Sequence, residues 1–291
     1  MESISVFDML KIGVGPSSSH TLGPWRAANL WIKRLQRLEQ FTSVASVRVQ
    51  LYGSLSLTGK GHATDIAVVM GLMGTDPVLY PIENIQSEID KLKETGTLLL
   101  NSEKKIPFSF SEDIKFNRKF LEFHPNGITF EATLRNGAKR TATYYSIGGG
   151  FVVQKERNRA KRQKEKFSSF PYPTENAAQI LKFCTEADLS ISEMVYQNEL
   201  SLRDPDRIDE KLKAIWEVML DSMYVGCHTE GILPGGLNVR RRAYDSHEKL
   251  KGDTPYSNAE EWIHSIRNTE VKFRQILKWV TCFALAVNEV N

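Results

Sequence analysis

The segment "EFHPNGITFEATLRNGAKRTATYYSIGGG", Glu122 to Gly150, decides the fold of the first half of the chain. Apolar and polar residues alternate through most of this segment, as they do in a strand with one buried face. The short sequences "PNG" and "RNG" interrupt the alternation and are typical of hairpin turns. We therefore predict alternating strands joined by two hairpin turns.

The residues before this segment predict helices and one more strand. Apolar residues three and four apart from Ala28 to Leu38 indicate an amphipathic helix, and the β-branched run from Val44 to Ser54 indicates a strand that ends at a glycine. Two further helices are predicted, from about Ala63 to Met73 and from Ile85 to Leu98. This order predicts an α/β sandwich over residues 1–153, with a mixed sheet and helices on one face.

A charged stretch separates this part from the rest of the chain. The segment "QKERNRAKRQKEK", Gln154 to Lys166, holds seven Lys or Arg residues. We interpret residues 154–172 as a solvated linker. The alternative is a phosphate- or RNA-binding arm, but no aromatic residue is interleaved that could stack on bases.

Residues 173–291 show helical periodicity and no convincing strand. The predicted helices are Ala177 to Ala187, Ile191 to Asn198, Ile208 to Val225, Asn258 to Asn268 and Glu270 to Val290. The fold class is therefore α+β, an N-terminal α/β sandwich followed by an all-helical domain.

Composition excludes several classes of protein. A net charge of +3 over 291 residues gives no argument for a nucleic-acid partner. The longest apolar run, Ile66 to Gly74, covers about half of the roughly 20 residues that a membrane span requires. Acidic Glu2 and Asp8 stand where a signal peptide carries positive charge, so we expect a cytoplasmic protein. The three cysteines form no C-x-x-C pair, which predicts buried thiols rather than disulfides or a zinc site.

The segment "VGPSSSHTLGPW", Val14 to Trp25, precedes the first amphipathic helix. Free backbone N–H groups and the helix dipole make such a position a binding site for a carboxylate or a phosphate. Its hydroxyls are orientable donors, and His20 can exchange a proton near neutral pH. The alternative is that Ser18 or Ser19 is only a helix cap and His20 a surface residue.

Three other segments have both a functional and a structural interpretation. His62, in "TGKGHATD", is either a reactive side chain or part of a cap, and nearby Lys60 has no phosphate-binding glycine loop that would indicate pyridoxal phosphate. The glycines of "SIGGGF" indicate close main-chain approach or positive φ angles, and the alternative is a flexible linker. The segment "GCHTEGILPGGLNVRRRA", Gly226 to Ala243, is a glycine-rich turn with three arginines, or simply a basic surface.

Taken together, the motifs are more specific than any one of them. The segments "FDMLKIGVGPSSSHTLGPWRAA", "GSLSLTGKGHATD", "SIGGGF", "EGILPGGLNVRRRA" and "ALAVNE" resemble the iron-sulfur-dependent L-serine dehydratases, also called L-serine ammonia-lyases. The resemblance extends from Ser5 to the last residue. It implies conversion of L-serine to pyruvate and ammonia at a [4Fe-4S] cluster, without pyridoxal phosphate. It also implies a beta-type domain, similar to an allosteric serine-binding domain, before a partial alpha-type catalytic domain.

The resemblance implies a role for each motif residue. The residues that would line the substrate site are Ser17, Ser18, Ser19, His20 and Thr21. Those that would close it are Ser146, Gly148, Gly149 and Gly150. His62 is the favoured base for the Cα proton, and His20 is the alternative. A base supplies only about 10² to 10⁴ in rate, so a Lewis-acidic iron would be needed to take the hydroxyl.

The cysteines of this chain depart from the family pattern. Cys184, Cys227 and Cys282 do not lie in the family's cluster motifs, so we assign no metal ligand and expect the ligands outside this chain. We accordingly expect a truncated chain, or one complemented by a C-terminal catalytic segment or subunit, that is inactive alone and forms a homo-oligomer. The alternative function is a non-catalytic serine-binding or regulatory module.

Overall fold

The structure, a computed structural model, describes residues 5–13, 17–154, 170–174, 176–233, 238–267 and 273–290. A five-stranded sheet dominates the first half, in the order β4-β1-β5-β6-β7. Its strands are β1 (Val44–Tyr52), β4 (Ile114–Asn117), β5 (Gly127–Leu134), β6 (Lys139–Ser146) and β7 (Val152–Gln154).

The sheet confirms one of the two predicted hairpins. Strands β5 and β6 pair antiparallel across "RNG", with Thr133 opposite Lys139. The prediction for "PNG" is wrong, because β4 and β5 lie on opposite sides of β1 and β4 pairs with β1 in parallel. A tight turn cannot join strands that do not neighbour each other. The sheet is mixed, as predicted.

Helices cover one face of this sheet. Residues of β1 alternate between the core and solvent, with Val47, Val49 and Leu51 fully buried while Arg48 and Gln50 are exposed. The buried face meets α2 (Gly23–Arg37), whose Trp31 stacks on Phe130 with ring centroids 5.2 Å apart. Helix α4 (Thr64–Leu72) packs on α2. The predicted helices on one face are thus present.

The helix predicted from Ile85 to Leu98 is too long. Helix α5 (Ile85–Thr95) ends at Gly96, which has φ 60°. The chain then forms β2 (Thr97–Leu100), which pairs antiparallel with β3 (Lys104–Pro107) in a separate two-stranded sheet. A glycine with positive φ is a frequent helix terminator, and Leu98 and Leu100 bury alternate positions as a strand requires.

The first half also contains short helical elements. They include α1 (Val6–Met9), a π-helical turn (Ser18–Leu22), α3 (Ser54–Thr58), a 3₁₀ turn (Gly59–His62) and α6 (Phe110–Asp113). The helical turn and the 3₁₀ turn contact each other and carry the two histidines of the motifs.

The second half is helical in the part that the structure describes. Its helices are α7 (Ala177–Ala187), α8 (Ile191–Leu200), α9 (Pro205–His228), α10 (Ala243–Leu250), α11 (Ala259–Arg267) and α12 (Phe273–Glu289). Five of them match predicted helices, and α10 was not predicted. The α+β class is therefore confirmed in its coarse form, while the domain limits 1–153, 154–172 and 173–291 stay predictions. Most of the predicted linker lies outside the described residues.

A buried polar contact joins the two halves. Glu199 of α8 accepts hydrogen bonds from the Ser5 hydroxyl at 2.9 Å and from the Val6 N–H at 2.8 Å. Arg203 forms an ion pair with the same carboxylate, and its guanidinium lies over the Phe7 ring. Helix α1 is therefore held against the helical half. None of the helices in the described ranges is both long and apolar enough to cross a membrane.

Candidate active site

The serine-rich segment forms a helical turn that continues into α2. Ser17 caps this turn, because its hydroxyl accepts a hydrogen bond from the His20 N–H at 3.2 Å. The cap is thus Ser17 rather than Ser18 or Ser19. The N–H groups of Ser18 and Ser19 come first in the helix, so they have no acceptor within it. Capping and anion binding are compatible in this arrangement.

Serine hydroxyls surround the imidazole ring of His20. The Ser19 Oγ lies 2.9 Å from Nδ1, and the Ser17 Oγ lies 3.4 Å from the same nitrogen. On the other side of the ring, the Ser54 Oγ lies 3.1 Å from Nε2. Both ring nitrogens of His20 therefore have hydrogen-bond partners.

His62 lies beside His20, although it belongs to a different turn of the chain. It ends the 3₁₀ turn after α3, and its ring centroid lies 5.0 Å from that of His20. No hydrogen bond joins a ring nitrogen of His62 to the rest of the described chain. His62 thus lies beside His20, and neither of its ring nitrogens has a hydrogen-bond partner among the described residues.

Two threonines fix the histidine backbones to each other. Thr21 Oγ1 donates to the His62 carbonyl at 3.2 Å, and Thr64 Oγ1 donates to the His20 carbonyl at 2.7 Å. Ala63, between His62 and Thr64, has φ 50°, a left-handed conformation that costs an alanine free energy. This conformation occurs directly after His62, at the point where that residue approaches His20.

The electrostatics of the pair favour a neutral His20. Burial lowers the pKa of His20 below 6.5, and the neighbouring His62 lowers it further, while a hydrogen bond to the Ser54 backbone acts in the opposite direction. At neutral pH the ring is therefore uncharged, so that one nitrogen donates a hydrogen bond and the other can accept one.

Ser146 supports the π-helical turn Ser18–Leu22, which we call the serine turn. It has no exposed surface, and its hydroxyl donates to the Ser19 carbonyl at 2.8 Å. A Cβ on Gly23 would lie 1.9 Å from that hydroxyl, so glycine is required at this contact. Thr21 is likewise buried and uses its hydroxyl internally. The exposed surface of the cluster comes instead from Ser17, Ser18, Ser19 and the two histidines.

The three glycines of "SIGGGF" form a turn beside the serine turn. Gly148, Gly149 and Gly150 all have positive φ, of 96°, 55° and 70°. Arg26 of α2 donates to the Gly150 carbonyl at 3.1 Å. The prediction of positive φ angles is therefore confirmed at all three glycines. Sequence reasoning missed Arg26 as well as Ser54, although Ser54 lies inside a quoted motif, directly after the glycine that ends β1.

The described part of the glycine- and arginine-rich segment makes contacts within the helical half. Arg240 pairs with Asp245 at 2.8 Å, and the backbone N–H groups of Arg242 and Ala243 donate to buried Glu289. These contacts hold the segment against α10 and α12. Pro234 to Leu237 lie outside the described residues.

The cysteines of the described ranges do not fit an iron-sulfur cluster. Cys227 and Cys282 are buried with their Sγ atoms 3.7 Å apart, and Cys184 lies against Met194. The hydrogen bond with Cys282, together with burial, raises the pKa of the Cys227 thiol, which disfavours the thiolate that binds metals. Within residues 5–13, 17–154, 170–174, 176–233, 238–267 and 273–290, no group of three or more Cys, His, Asp or Glu side chains could hold a metal ion.

The fold and the site define a protein in which a serine-rich helix start lies beside two histidines. Two family models match the chain. The model described as "Serine dehydratase beta chain" matches residues 5–157, and the model described as "Serine dehydratase alpha chain" matches residues 186–291.

Curated relatives match along nearly the whole chain. The L-serine dehydratase of Haemophilus influenzae is 41% identical over 290 residues, which are 99% of this chain and 60% of the relative. The L-serine dehydratase of Streptomyces coelicolor is 42% identical over 292 residues, with the same coverage. L-serine dehydratase 1 of Escherichia coli is 39% identical over 289 residues, again with 99% and 60% covered. The chain belongs to the L-serine dehydratase family, and it spans about 60% of the length of these relatives.

Proposed function

We propose that this chain binds L-serine at the serine-histidine cluster and removes its Cα proton, in a reaction that yields pyruvate and ammonia. The observation that carries the proposal is the 5.0 Å distance between the ring centroids of His62 and His20, because both ring nitrogens of His20 contact serine hydroxyls. Its place in the L-serine dehydratase family supports the choice of substrate. A cytoplasmic location and a homo-oligomeric state stay predictions.

The start of the serine turn suits the carboxylate of an amino acid. The N–H groups of Ser18 and Ser19 lie at the positive end of a helix that continues through α2. The hydroxyls of Ser17 and Ser19 stand beside these N–H groups and can donate to a carboxylate or accept from an ammonium group. A zwitterionic amino acid needs both kinds of partner. Binding it here would place its Cα close to the two histidines.

We assign the base to His62 rather than to His20. Both ring nitrogens of His20 already contact serine hydroxyls, whereas those of His62 have no hydrogen-bond partner among the described residues. Removal of the Cα proton by a positioned imidazole contributes about 10² to 10⁴ in rate. The hydrogen-bonded ring of His20 would then orient the substrate instead of deprotonating it.

Ser146 and the glycine turn act on substrate through the serine turn. Ser146 holds the Ser19 carbonyl, and Arg26 holds the Gly150 carbonyl next to it. Such contacts keep the first turn within the narrow geometry that a reactive complex requires. We propose that Thr21 and Ser146 shape the site from behind, and that Gly148 to Gly150 close its edge with main-chain groups.

Departure of the Cβ hydroxide requires an electrophile in addition to this base. The family resemblance implies a [4Fe-4S] cluster, but the described residues do not fit one. We therefore derive no step through a cluster, and the proposal for these residues covers binding and deprotonation. A serine-binding module without catalysis is not favoured, because the curated relatives carry the name of an enzyme and His62 is open to a ligand.

The proposal can be tested by calorimetry of L-serine with the 291-residue chain. We expect saturable binding that Ser19→Ala weakens and that His264→Gln, in an exposed position of α11, leaves unchanged. Absence of L-serine binding would contradict the proposed substrate. Pyruvate is measured in the same samples after anaerobic addition of iron and sulfide. Pyruvate formation in a chelated, metal-free sample would contradict the cluster assignment.

A further inference from the structure

Ser54 contacts the His20 ring from the end of β1. It follows Gly53 at the end of β1 and is the first residue of α3. Gly53 has φ 53° and ψ −121°, and a Cβ there would lie 2.4 Å from the Pro125 carbonyl oxygen. The Ser54 N–H donates to that same carbonyl at 3.0 Å. These backbone contacts fix the position of Ser54. The Ser54 hydroxyl then forms a hydrogen bond with His20.

Each ring nitrogen of His20 meets a different serine. Ser54 Oγ lies 3.1 Å from Nε2, and Ser19 Oγ lies 2.9 Å from Nδ1. A neutral imidazole donates from one nitrogen and accepts at the other. Which nitrogen carries the proton is thus decided by which serine accepts.

Ser54 offers acceptors on the Nε2 side. A hydrogen bond to its backbone raises the pKa of His20, as an acceptor that stabilises a ring N–H does. The Ser54 hydroxyl oxygen can accept a hydrogen bond at Nε2, where 3.1 Å fits a ring N–H donor, while 2.9 Å at Nδ1 fits a hydroxyl donor. Among the described residues, the other groups in contact with the ring are the hydroxyls of Ser17 and Ser19 and the imidazole of His62. With the proton on Nε2, Nδ1 accepts a hydrogen bond from the Ser19 hydroxyl.

We propose that Ser54 is a positioning residue that holds His20 in the Nε2–H tautomer, so that Ser19 donates to Nδ1. With its proton committed to His20, the Ser19 oxygen is free to accept a hydrogen bond from the amino group of an amino acid. This last step rests on the proposed function, whereas the tautomer itself does not. Ser54 thereby makes the serine turn selective for a ligand that carries a donor beside its carboxylate.

The tautomer can be measured without any ligand. NMR of the 291-residue chain with ¹⁵N-labelled histidine distinguishes protonated from unprotonated ring nitrogens, and His20→Gln assigns the His20 signals. We expect Nε2–H for His20 in the wild type, growth of the Nδ1–H form and a lower His20 pKa in Ser54→Ala, and recovery in Ser54→Thr. The control is Ser56→Ala, since the buried Ser56 hydroxyl on the same helix has no hydrogen-bond partner in the described structure.

Ligand affinity provides the second measurement. Loss of one hydrogen bond from the site predicts about three- to tenfold weaker L-serine binding in Ser54→Ala, with recovery in Ser54→Thr and no change in Ser56→Ala. A wild-type His20 in the Nδ1–H form, or an Ser54→Ala variant with unchanged ring signals, would overturn the inference even if L-serine binds. Absence of L-serine binding with the expected ring signals would instead overturn the proposed function and leave the tautomer assignment standing.

Discussion

The imidazole rings of His20 and His62 lie with their centroids 5.0 Å apart and their planes at 50°, although they come from different helical turns. A positive charge on His62 would repel one on His20, and this neighbour helps to lower the pKa of His20. The ring of His20 contacts serine hydroxyls on both nitrogens, whereas that of His62 has no hydrogen-bond partner among the described residues. We therefore expect substitutions of the two histidines to have different effects.

Replacing His62 should remove the base and spare the fold. We expect His62→Gln to lower the rate at which the 291-residue chain exchanges the Cα hydrogen of L-serine with D₂O, measured by NMR, by about 10² to 10⁴. His264→Gln serves as the matched control, because that histidine is exposed on α11. If His62→Gln keeps the wild-type rate while His20→Gln loses it, the assignment of the base is reversed.

The same substitution should change the titration of His20. Because His62 lowers the pKa of His20, His62→Gln is expected to raise that pKa toward 6.5. Burial continues to hold it below that value, so the recovery is partial. The measurement is a histidine NMR titration of the 291-residue chain. An unchanged or lower His20 pKa would show that the two rings do not interact in solution.

A buried histidine of the helical half should make stability depend on pH. His247 has no exposed surface, its Nε2 accepts from the Trp262 indole at 3.0 Å, and its Nδ1 has no hydrogen-bond partner in the described structure. Burial, aided by neighbouring His228, lowers its pKa to about 4. Since the folded pKa is below the unfolded value, stability from this group is present above pH 6.5 and is lost as the pH falls toward 4.

The expected loss is on the order of 3 kcal/mol of unfolding free energy. It is measured as the difference in urea unfolding between pH 7 and pH 4.5, comparing wild type with His247→Gln. The variant should show the weaker pH dependence, and His264→Gln should behave like wild type. Equal pH dependence in all three proteins would rule out His247 as the titrating group.

The contact between Gly23 and Ser146 should not tolerate a methyl group. A Cβ at position 23 would lie 1.9 Å from the Ser146 hydroxyl, within the contact that supports the serine turn. We expect Gly23→Ala to cost about 1–3 kcal/mol and to weaken L-serine binding. Gly252→Ala is the control, because nothing lies within 4 Å of a Cβ there. Thermal unfolding and calorimetry measure both effects, and equal stability of the two variants would contradict the close contact.

The buried carboxylate of Glu199 should matter more than an exposed one. Its side chain is 3% exposed, while the Arg207–Glu210 pair on α9 is 64% and 67% exposed. We expect Glu199→Ala to cost about 3 kcal/mol, because Arg203 and the Ser5 hydroxyl lose their partner, and Glu210→Ala to cost less than about 1 kcal/mol. Urea unfolding measures both, and similar costs would show that Glu199 does not join α1 to the helical half.

Local sequence patterns were sufficient for the elements and for most of the site. Alternation located β1, β5 and β6, and three- and four-residue spacing located five helices of the second half. Motifs located His20, His62, Ser146 and the glycine turn. They did not show which of these side chains face a ligand, since Thr21 and Ser146 are buried and use their hydroxyls inside the protein.

The sequence by itself determined the α+β class, the motif residues and the family resemblance, because periodicity and motif spacing are properties of neighbouring residues. Only the tertiary structure decided that β4 pairs in parallel with β1, that β2 replaces the end of a predicted helix, and that Ser54 meets His20. These features depend on contacts between residues far apart in the chain. Such contacts form when separate segments bury a common core, and no local pattern specifies them.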